Sequence, residues 1–172
     1  VFLGCGINDV WRRFQGRMEE AVDLAEYTRH LATMLNQLSD HARRIIVVSE
    51  TPFGPIEAPA TVGEMNDELA RYNEVAAKTT ADHGALFLDV WTPFTAAARH
   101  LAPAAAGDDL VSLWSDGVHL SELGDTVLLQ QAERILAEHR IVEALLDYPL
   151  LDRDAALAAY GPLFARFRPT DS

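Results

Sequence analysis

The sequence predicts an α/β protein in which helices cover both faces of a parallel β-sheet. Two observations support this class. Short apolar runs alternate along the chain with longer amphipathic segments, and the first of these runs is apolar on both strand faces, as strands buried in a parallel sheet are. With 172 residues, of which 49% are hydrophobic, the chain has the length of one domain.

Three apolar runs are predicted to be strands. The first extends from Val1 to Cys5 and is expected to be a buried strand. The second, at residues 45–48, is a β-branched run that is too short for a helix, and the third occupies residues 85–90. Residues 6–20 are rich in glycine and charge, and they are predicted to form a polar loop.

Three helices are predicted, at residues 21–40, 63–82 and 121–139, because apolar residues recur there at helical spacing, and a short helix is predicted at residues 93–101. The residues expected to face the core in these three long helices are Leu24, Leu31, Leu35, Leu38, Met65, Leu69, Tyr72, Ala76, Leu123, Val127, Leu128 and Ile135.

Two further segments complete the predicted domain organisation. Residues 104–109 are predicted to be a loop. Residues 1–139 are predicted to form the main domain, and residues 140–172 a helical tail that packs on that domain or at an interface.

Composition argues against several functions. Lys and Arg number 14 against 26 Asp and Glu, and the formal net charge of −12 repels nucleic-acid phosphates. No apolar run reaches the roughly 18 residues of a membrane span. The single cysteine, Cys5, excludes an intramolecular disulfide and a multi-cysteine zinc site, and it is expected to be an inert core residue. A chain that begins with Val1 does not report on a signal peptide, so the compartment stays open, with the cytoplasm favoured.

The segment Gly-Ile-Asn-Asp at residues 6–9 follows the first predicted strand, at the sheet edge where parallel α/β proteins bind ligands. Asn8 has two interpretations. It is either a turn residue, because Asn tolerates left-handed conformations, or an amide donor to a developing oxyanion. Loss of one such donor typically costs about 10²–10³ in rate.

A second motif, Asp-Gly-Val-His-Leu-Ser at residues 116–121, precedes the last predicted helix. Asp116 and His119 are either polar loop residues, with Ser121 capping the helix, or a catalytic pair. In a pair, the carboxylate would accept from one imidazole nitrogen, fix the tautomer and leave the other nitrogen as a base. A metal site is less favoured, since the remaining histidines show no ligand spacing to this pair; they are His30, His41, His83, His100 and His139.

Together the two motifs resemble those of the SGNH, or GDSL-like, hydrolase superfamily. Residues 6–9 match its G-x-N-D block, and residues 116–121 match its closing D-x-x-H block. The longer strings at residues 6–12, 47–55 and 113–124 resemble the branch of isoamyl-acetate-hydrolysing esterases. The resemblance covers residues 1 to about 138 and does not explain the tail.

The resemblance implies a flavodoxin-like α/β/α sandwich and a serine esterase that acts on a small-molecule carboxylic ester, with a short acyl chain the expected substrate class. His119 would be the general base and then the acid, Asp116 would orient it, and Asn8 would donate to the oxyanion. No metal or organic cofactor is implied.

The nucleophilic serine of the family lies in a Gly-Asp-Ser block that this sequence does not contain. None of its own serines is predicted to lie on a strand-to-helix elbow, and Ser115 is the one beside the Asp-His motif. We therefore expect the chain to be the C-terminal part of a longer hydrolase and to be nearly inactive alone. The family's first strands, or a second copy of the chain, would cover the edge between Val1 and Cys5.

Two other classes stay open: a non-catalytic SGNH-fold protein that binds a ligand or partner, and an unrelated flavodoxin-like binding domain. Four aromatic residues near predicted strand ends either line an apolar pocket or pack in the core; they are Trp11, Phe14, Phe53 and Trp91. Arg12 and Arg13 either meet an anionic substrate or face solvent, and solvent is favoured.

Overall fold

The computed structural model describes residues 1–54, 60–101 and 112–140. The chain forms two compact units, Val1–Ala132 and Glu133–Ser172. In the second unit the described residues are 133–140. There the Nε of Arg134 donates to Oε1 of Glu138 at 2.8 Å. The predicted loop at 104–109 and the predicted tail beyond residue 140 lie outside the described residues.

A parallel three-stranded sheet in the order β1-β2-β3 forms the centre of the first unit. Its strands are β1 (Phe2–Leu3), β2 (Ile46–Val48) and β3 (Leu86–Leu88). In the register of the sheet, Ile46 lies between Phe2 and Leu86. The parallel sheet and its helices confirm the predicted fold class.

The prediction that the first strand is buried from Val1 to Cys5 is wrong. β1 is Phe2–Leu3, and Val1 and Phe2 are 55% and 52% exposed. In the part of the chain that the structure describes, β1 pairs with β2 on one side and forms an edge of the sheet. Apolar sequence alone does not distinguish an edge strand from a central one.

Five α-helices lie in the described residues. They are α1 (Ile7–Phe14), α2 (Leu24–Ser39), α3 (Ala60–Asp82), α4 (Trp91–Leu101) and α5 (Glu122–Glu138). The last four match the predicted helices, with shifted ends. None of the described helices is long and apolar enough to cross a membrane.

The predicted polar loop at residues 6–20 is wrong, because it contains α1 and a 3₁₀ turn, Met18–Glu20. Residues 7, 10, 11 and 14 are apolar at the i, i+3, i+4 and i+7 spacing of a helix face. Val10 is fully buried on this face. This apolar pattern over two turns is the sequence signal for α1. It is easily missed, because charged residues lie between the four apolar positions.

Hydrogen bonds at the helix starts explain two of the shifted boundaries. Asp23 Oδ1 accepts from the Glu26 backbone at 2.8 Å, so α2 begins at Leu24. The Ser49 hydroxyl accepts from the backbone N–H of Trp91 at 3.1 Å, which brings the start of α4 forward to Trp91.

Away from β1, the sheet is buried on both faces. Val47 packs against a core cluster formed largely by α2 and α3, whereas Ile46 and Leu88 point to the opposite face and are also buried. Most of the predicted core positions of α2 and α3 are confirmed as buried: Leu31, Leu35, Leu69, Tyr72 and Ala76. A second cluster contains Phe94, Ala98, Leu113 and Trp114, with Leu120, Leu123 and Val127 packed against it.

Gly124 allows the first turn of α5 to pack directly on a carbonyl oxygen. A Cβ at Gly124 would overlap the Leu113 oxygen, so we expect Gly124→Ala to lower the free energy of unfolding by about 1–3 kcal/mol. Gly63 in α3 is the matched control, because nothing lies within 4 Å of a Cβ built there. Gly63→Ala should raise the free energy of unfolding by about 0.5–1 kcal/mol. Urea denaturation measures both, and equal stability of Gly124→Ala and the parent would contradict the packing argument.

Candidate active site

Asp116 and His119 lie in a tight antiparallel loop between the second core cluster and α5. Trp114 and Leu120 form an antiparallel bridge across the loop. Inside this bridge, the backbone N–H of Ser115 donates to the His119 carbonyl at 2.8 Å. The backbone of this loop is therefore fixed by its own hydrogen bonds.

Two hydrogen bonds fasten the loop to the segment that follows β2. The indole N–H of Trp114 donates to the Pro52 carbonyl at 2.7 Å, and the Gly54 N–H donates to the Gly117 carbonyl at 2.5 Å. Gly117 has φ of 89°, a conformation that favours glycine. Its Cα face also lies close to Gly54, since a Cβ on Gly117 would be 3.6 Å from the Gly54 Cα.

The carboxylate of Asp116 holds the imidazole of His119. Asp116 Oδ2 lies 2.7 Å from Nδ1 of His119, while Oδ1 accepts from the backbone N–H groups of Val118 at 3.0 Å and His119 at 2.8 Å. These hydrogen bonds, that of the imidazole foremost, lower the pKa of Asp116 to about 2. An ionised carboxylate only accepts, so Nδ1 carries the hydrogen and Nε2 is the nitrogen that can take up a proton.

Both members of this pair face solvent. The side chain of His119 is 69% exposed and that of Asp116 is 55% exposed. A solvated ion pair contributes little to stability. What the contact does provide is orientation, because it fixes the tautomer of an imidazole that remains accessible.

Asn8 lies in the first turn of α1, and its side chain is exposed. The interpretation of Asn8 as a left-handed turn residue is therefore wrong. The residue with the unusual backbone is Gly6, with φ of 130°. A Cβ on Gly6 would lie 3.4 Å from the ring of Tyr27 and 3.5 Å from that of Tyr72, which are ordinary contact distances, so it is the backbone conformation that favours glycine.

The neighbours of Asn8 anchor α1. Asp9 Oδ1 accepts from the Val22 N–H at 2.9 Å, and Val10 is buried in the core. In the first two turns of α1, buried and hydrogen-bonded residues thus hold the helix, while Asn8 stays accessible.

The two sequence motifs meet where α1 approaches the Asp116 loop. The rings of Trp11 and His119 lie edge to face, with 6.5 Å between their centroids. Asn8 and Trp11 are i, i+3 neighbours and share a face of α1. This contact places α1, which carries Asn8, beside the loop that carries His119.

The remaining aromatic residues divide between packing and surface. Phe53 is buried at 1% exposure and belongs to the core, whereas Phe14 is exposed. Trp91 lines an open cavity of about 250 Å³ together with Ser49 and Phe87. Of the predicted pocket residues, Trp11 is thus the one that the structure brings to His119.

The expectation that both arginines face solvent is wrong for Arg13. Its guanidinium donates to Glu68 Oε1 at 3.1 Å and to the Tyr72 hydroxyl at 3.3 Å, which ties α1 to α3. Arg12 lies over the Trp11 ring, with its guanidinium carbon 4.7 Å from the ring centroid.

Two serines near the site have their hydroxyls engaged with the backbone. Ser115 Oγ donates to the His119 carbonyl at 3.1 Å. Buried Ser49 accepts from the N–H groups of Val90 and Trp91. Neither hydroxyl is hydrogen-bonded to the imidazole of His119, and a serine nucleophile needs that contact.

Cys5 is partly buried, and burial raises the pKa of its thiol, which disfavours the reactive thiolate. Among the residues that the structure describes, no group of three or more His, Cys, Asp or Glu side chains could hold a metal ion.

Glu50 is a residue near the site that the sequence pattern does not single out. It follows β2, and its backbone exchanges two hydrogen bonds with the Asn73 amide, at 2.8 and 3.1 Å. Burial raises the pKa of Glu50 to about 7, where the neighbouring backbone N–H of Ile7 lowers it and the negative charge of Asp9 raises it. An isolated glutamate after a strand carries no sequence signal for such a contact.

A parallel α/β sheet with a carboxylate-held imidazole near the carboxyl ends of its strands is typical of hydrolytic enzymes. The sequence model of the GDSL-like lipase/acylhydrolase family matches residues 1–127. The chain belongs to this family.

Solved structures with a similar fold include an acetylxylan esterase and an alpha/beta hydrolase. Axe2, an acetylxylan esterase from Geobacillus stearothermophilus, is 27% identical, with a TM-score of 0.64 over 78% of this chain and 57% of Axe2. LAE5, an alpha/beta hydrolase enzyme from the metagenome of Lake Arreo, Spain, is 24% identical, with a TM-score of 0.64 over 80% of this chain and 57% of its own, and it supports the fold alone. The chain thus spans less than two thirds of either protein. A comparison with curated protein sequences gave no match.

Solved catalytic mutants of Axe2 replace a serine, an aspartate or a histidine by alanine. In that protein the aspartate and the histidine lie three positions apart.

The raised pKa of Glu50 predicts a pH-dependent stability. From about pH 4.5, the ordinary value, to pH 7 the folded chain binds the Glu50 proton more tightly than the unfolded chain. The free energy of unfolding should therefore fall as pH rises through this window, by at most about 3 kcal/mol. Glu50→Gln should remove this loss, as measured by urea denaturation across the window. Glu74→Gln, which alters an exposed carboxyl of α3, is the control and should retain it. A fall of undiminished size in Glu50→Gln would assign the effect to another group.

Proposed function

We propose that the intact protein containing this chain hydrolyses small carboxylic esters with short acyl groups, and that it belongs to the isoamyl-acetate-hydrolysing esterase branch. In this proposal His119 is the general base and then the acid, Asp116 orients it, and Asn8 donates to the oxyanion. The observation that carries the proposal is the 2.7 Å contact between Asp116 and the Nδ1 of His119, which leaves Nε2 to accept a proton.

The proposed reaction has two steps and uses no metal or organic cofactor. In the first, a serine Oγ attacks the ester carbonyl while its proton moves to Nε2 of His119, and the ionised Asp116 stabilises the imidazolium. The tetrahedral oxyanion accepts a hydrogen bond from the Asn8 amide. As the intermediate collapses, His119 gives the proton to the departing alcohol, which leaves an acyl-enzyme. Water then repeats the sequence and releases the acid.

We place the nucleophilic serine outside these residues. The backbone hydrogen bonds of Ser49 and Ser115 support this assignment, and so does the chain's coverage of 57% of Axe2. The exposed edge at β1 supports it too, because an uncovered apolar edge favours pairing with another strand. A second copy of the chain at this edge is the alternative that the experiments below distinguish.

The relatives support the assigned roles. The catalytic Asp and His of Axe2 have the same spacing as Asp116 and His119, and Axe2 is an acetylxylan esterase. Beside His119, the Trp11 ring offers an apolar wall next to the reacting carbonyl. A short apolar acyl group can pack against this ring, whereas a charged acyl group would lose hydration there.

A fluorophosphonate probe of the intact protein tests the proposal. The probe should form one covalent adduct on a serine in a peptide outside these 172 residues, located by peptide mass spectrometry. His119→Ala should slow labelling by about 10²–10⁴-fold, because the serine loses its base. His30→Ala removes an imidazole of α2 that also lies near a carboxylate, at 3.8 Å from Glu26, and should label at the parent rate.

Three results would overturn this proposal. An adduct on Ser49 or Ser115 would place the nucleophile inside the chain. Unchanged labelling of His119→Ala would remove the general base. The absence of any adduct from a folded intact protein would favour a non-catalytic relative that only binds.

The role of Asn8 predicts a loss in kcat. Asn8→Ala should lower kcat for p-nitrophenyl acetate by about 10²–10³-fold and change KM much less, because the donor acts mainly when charge develops on the oxygen. Asn36→Ala, in α2, changes an exposed asparagine and serves as the control with unchanged kcat. An equal loss in both variants, or a loss confined to KM, would contradict the oxyanion role.

A further inference from the structure

We propose that Asn66 of α3 is a positioning residue for His119: its side-chain amide holds the backbone of Phe53, and the two neighbours of Phe53 hold the loop that carries His119. This inference rests on the proposed function, in which His119 is the general base. It adds α3 to the elements that build the site, through a residue that acts by hydrogen bonds to the backbone of another segment.

The first step of the argument is that the Asp116–His119 pair does not by itself place the imidazole. The two residues belong to the same tight loop, and their 2.7 Å contact is local. A general base acts only within hydrogen-bond reach of the proton that it takes up. The position of the whole loop relative to the rest of the site therefore matters as much as the pair itself.

The second step is that two hydrogen bonds attach this loop to the segment after β2. The Pro52 carbonyl accepts from the Trp114 indole at 2.7 Å, and the Gly54 N–H donates to the Gly117 carbonyl at 2.5 Å. The two points of attachment on this segment are separated by a single residue, Phe53. Any displacement of Phe53 therefore moves both attachment points, and the loop with them.

The third step is that Asn66 holds this intervening residue on both sides. Residues 51–54 belong to no helix or strand of the described chain, so their backbone groups need other partners. Oδ1 of Asn66 accepts from the Phe53 N–H at 2.7 Å, and Nδ2 donates to the Phe53 carbonyl at 3.2 Å. A side-chain amide can accept and donate at the same time, as this contact requires. Phe53 is 1% exposed, which limits competition from water.

The fourth step is that α3 gives this contact a rigid support. Leu69, three residues after Asn66 and therefore on the same side of the helix, is fully buried in the core. The helix packs on α2 and on the strands β2 and β3. The amide of Asn66 is thus fixed relative to the core, and through Phe53 it connects the core with the candidate active site.

Asn73, two turns further along α3, makes the same pair of hydrogen bonds with a residue that precedes both attachment points. It accepts from the Glu50 N–H at 2.8 Å and donates to the Glu50 carbonyl at 3.1 Å. Asn66 and Asn73 therefore form the same kind of bonds, but they hold the segment at different places. This makes Asn73→Ala the matched control for Asn66→Ala.

The first experiment observes the loop without turnover, through the NMR resonance of the Trp114 indole N–H in the intact protein. Asn66→Ala should shift this resonance toward that of an indole without a hydrogen-bond partner and speed its exchange with solvent by about 10-fold. Asn66→Asp keeps the acceptor for the Phe53 N–H but loses the donor, and should give a smaller shift. Asn73→Ala should leave the resonance in place. An unshifted resonance in folded Asn66→Ala, or an equal shift in Asn73→Ala, would overturn the proposal.

The second experiment measures positioning through catalysis. Asn66→Ala should lower kcat for p-nitrophenyl acetate by about 10–10²-fold with KM within about twofold, because a displacement of about 1 Å can cost about 10²-fold in rate. The acid limb of the kcat profile should keep its midpoint, since the contact of His119 with Asp116 is local. Asn73→Ala should retain kcat within about twofold, although urea denaturation should show a similar loss of stability. Equal losses of kcat in the two variants would mean that Asn66 acts on stability alone, and the positioning role would be wrong.

The two experiments separate this inference from the proposed function. If the parent protein shows no esterase activity while the Trp114 indole responds to Asn66→Ala, the proposed function fails, and the role of Asn66 toward a general base fails with it, although its connection to the loop stands. If the parent is an active esterase and Asn66→Ala changes neither the indole resonance nor kcat, only the inference about Asn66 fails. Urea denaturation shows which variants are folded, and Asn66→Asp supplies both measurements if Asn66→Ala does not fold.

Discussion

The position of His119 depends on the hydrogen bond from the buried Trp114 indole to the Pro52 carbonyl. Without an anchor of this kind, Asp116 and His119 would be a local contact in a solvated loop, with no fixed relation to the sheet. Trp114 packs edge to face with Phe94, at 5.3 Å between ring centroids, so the bond is protected from water and from competition by solvent. The loop therefore has its stabilising contacts in the core and its ionisable side chains at the surface.

In α1, too, buried contacts hold the element in place while its candidate site residues remain accessible. Val10 supplies the buried contact and Asp9 the hydrogen bond to the segment before α2, while Asn8 and Trp11 remain on the accessible side of the helix. Because α1 is only two turns long, it has little stability of its own and relies on these tertiary contacts. A short helix held in this way can present a side chain in a defined direction, provided that its first turn is held.

Features that depend on residues close together in the sequence were predicted correctly, whereas those that depend on contacts between distant segments were not. The helices α2 and α3 are predictable because their apolar spacing is long and regular. The pairing of Asp116 with His119 is predictable because it is local. The exposure of β1 is not predictable, because an apolar run has the same sequence pattern in an edge strand as in a central strand. The contacts of Trp11 with His119 and of Glu50 with Asn73 join segments that are distant in the sequence, so no local pattern indicates them.

The start of α1 shows how a short helix can be held without a side-chain cap. Its N-cap residue is Gly6, whose φ of 130° favours glycine and which makes no side-chain hydrogen bond. A serine or aspartate, the usual capping residues, would be strained in that conformation. The contacts that hold α1 are therefore tertiary: Val10 in the core, Asp9 with the Val22 N–H, and Arg13 with Glu68. Because these contacts come from three different segments, the direction of α1, and with it that of Asn8, depends on the packing of the whole unit and not on the helix alone.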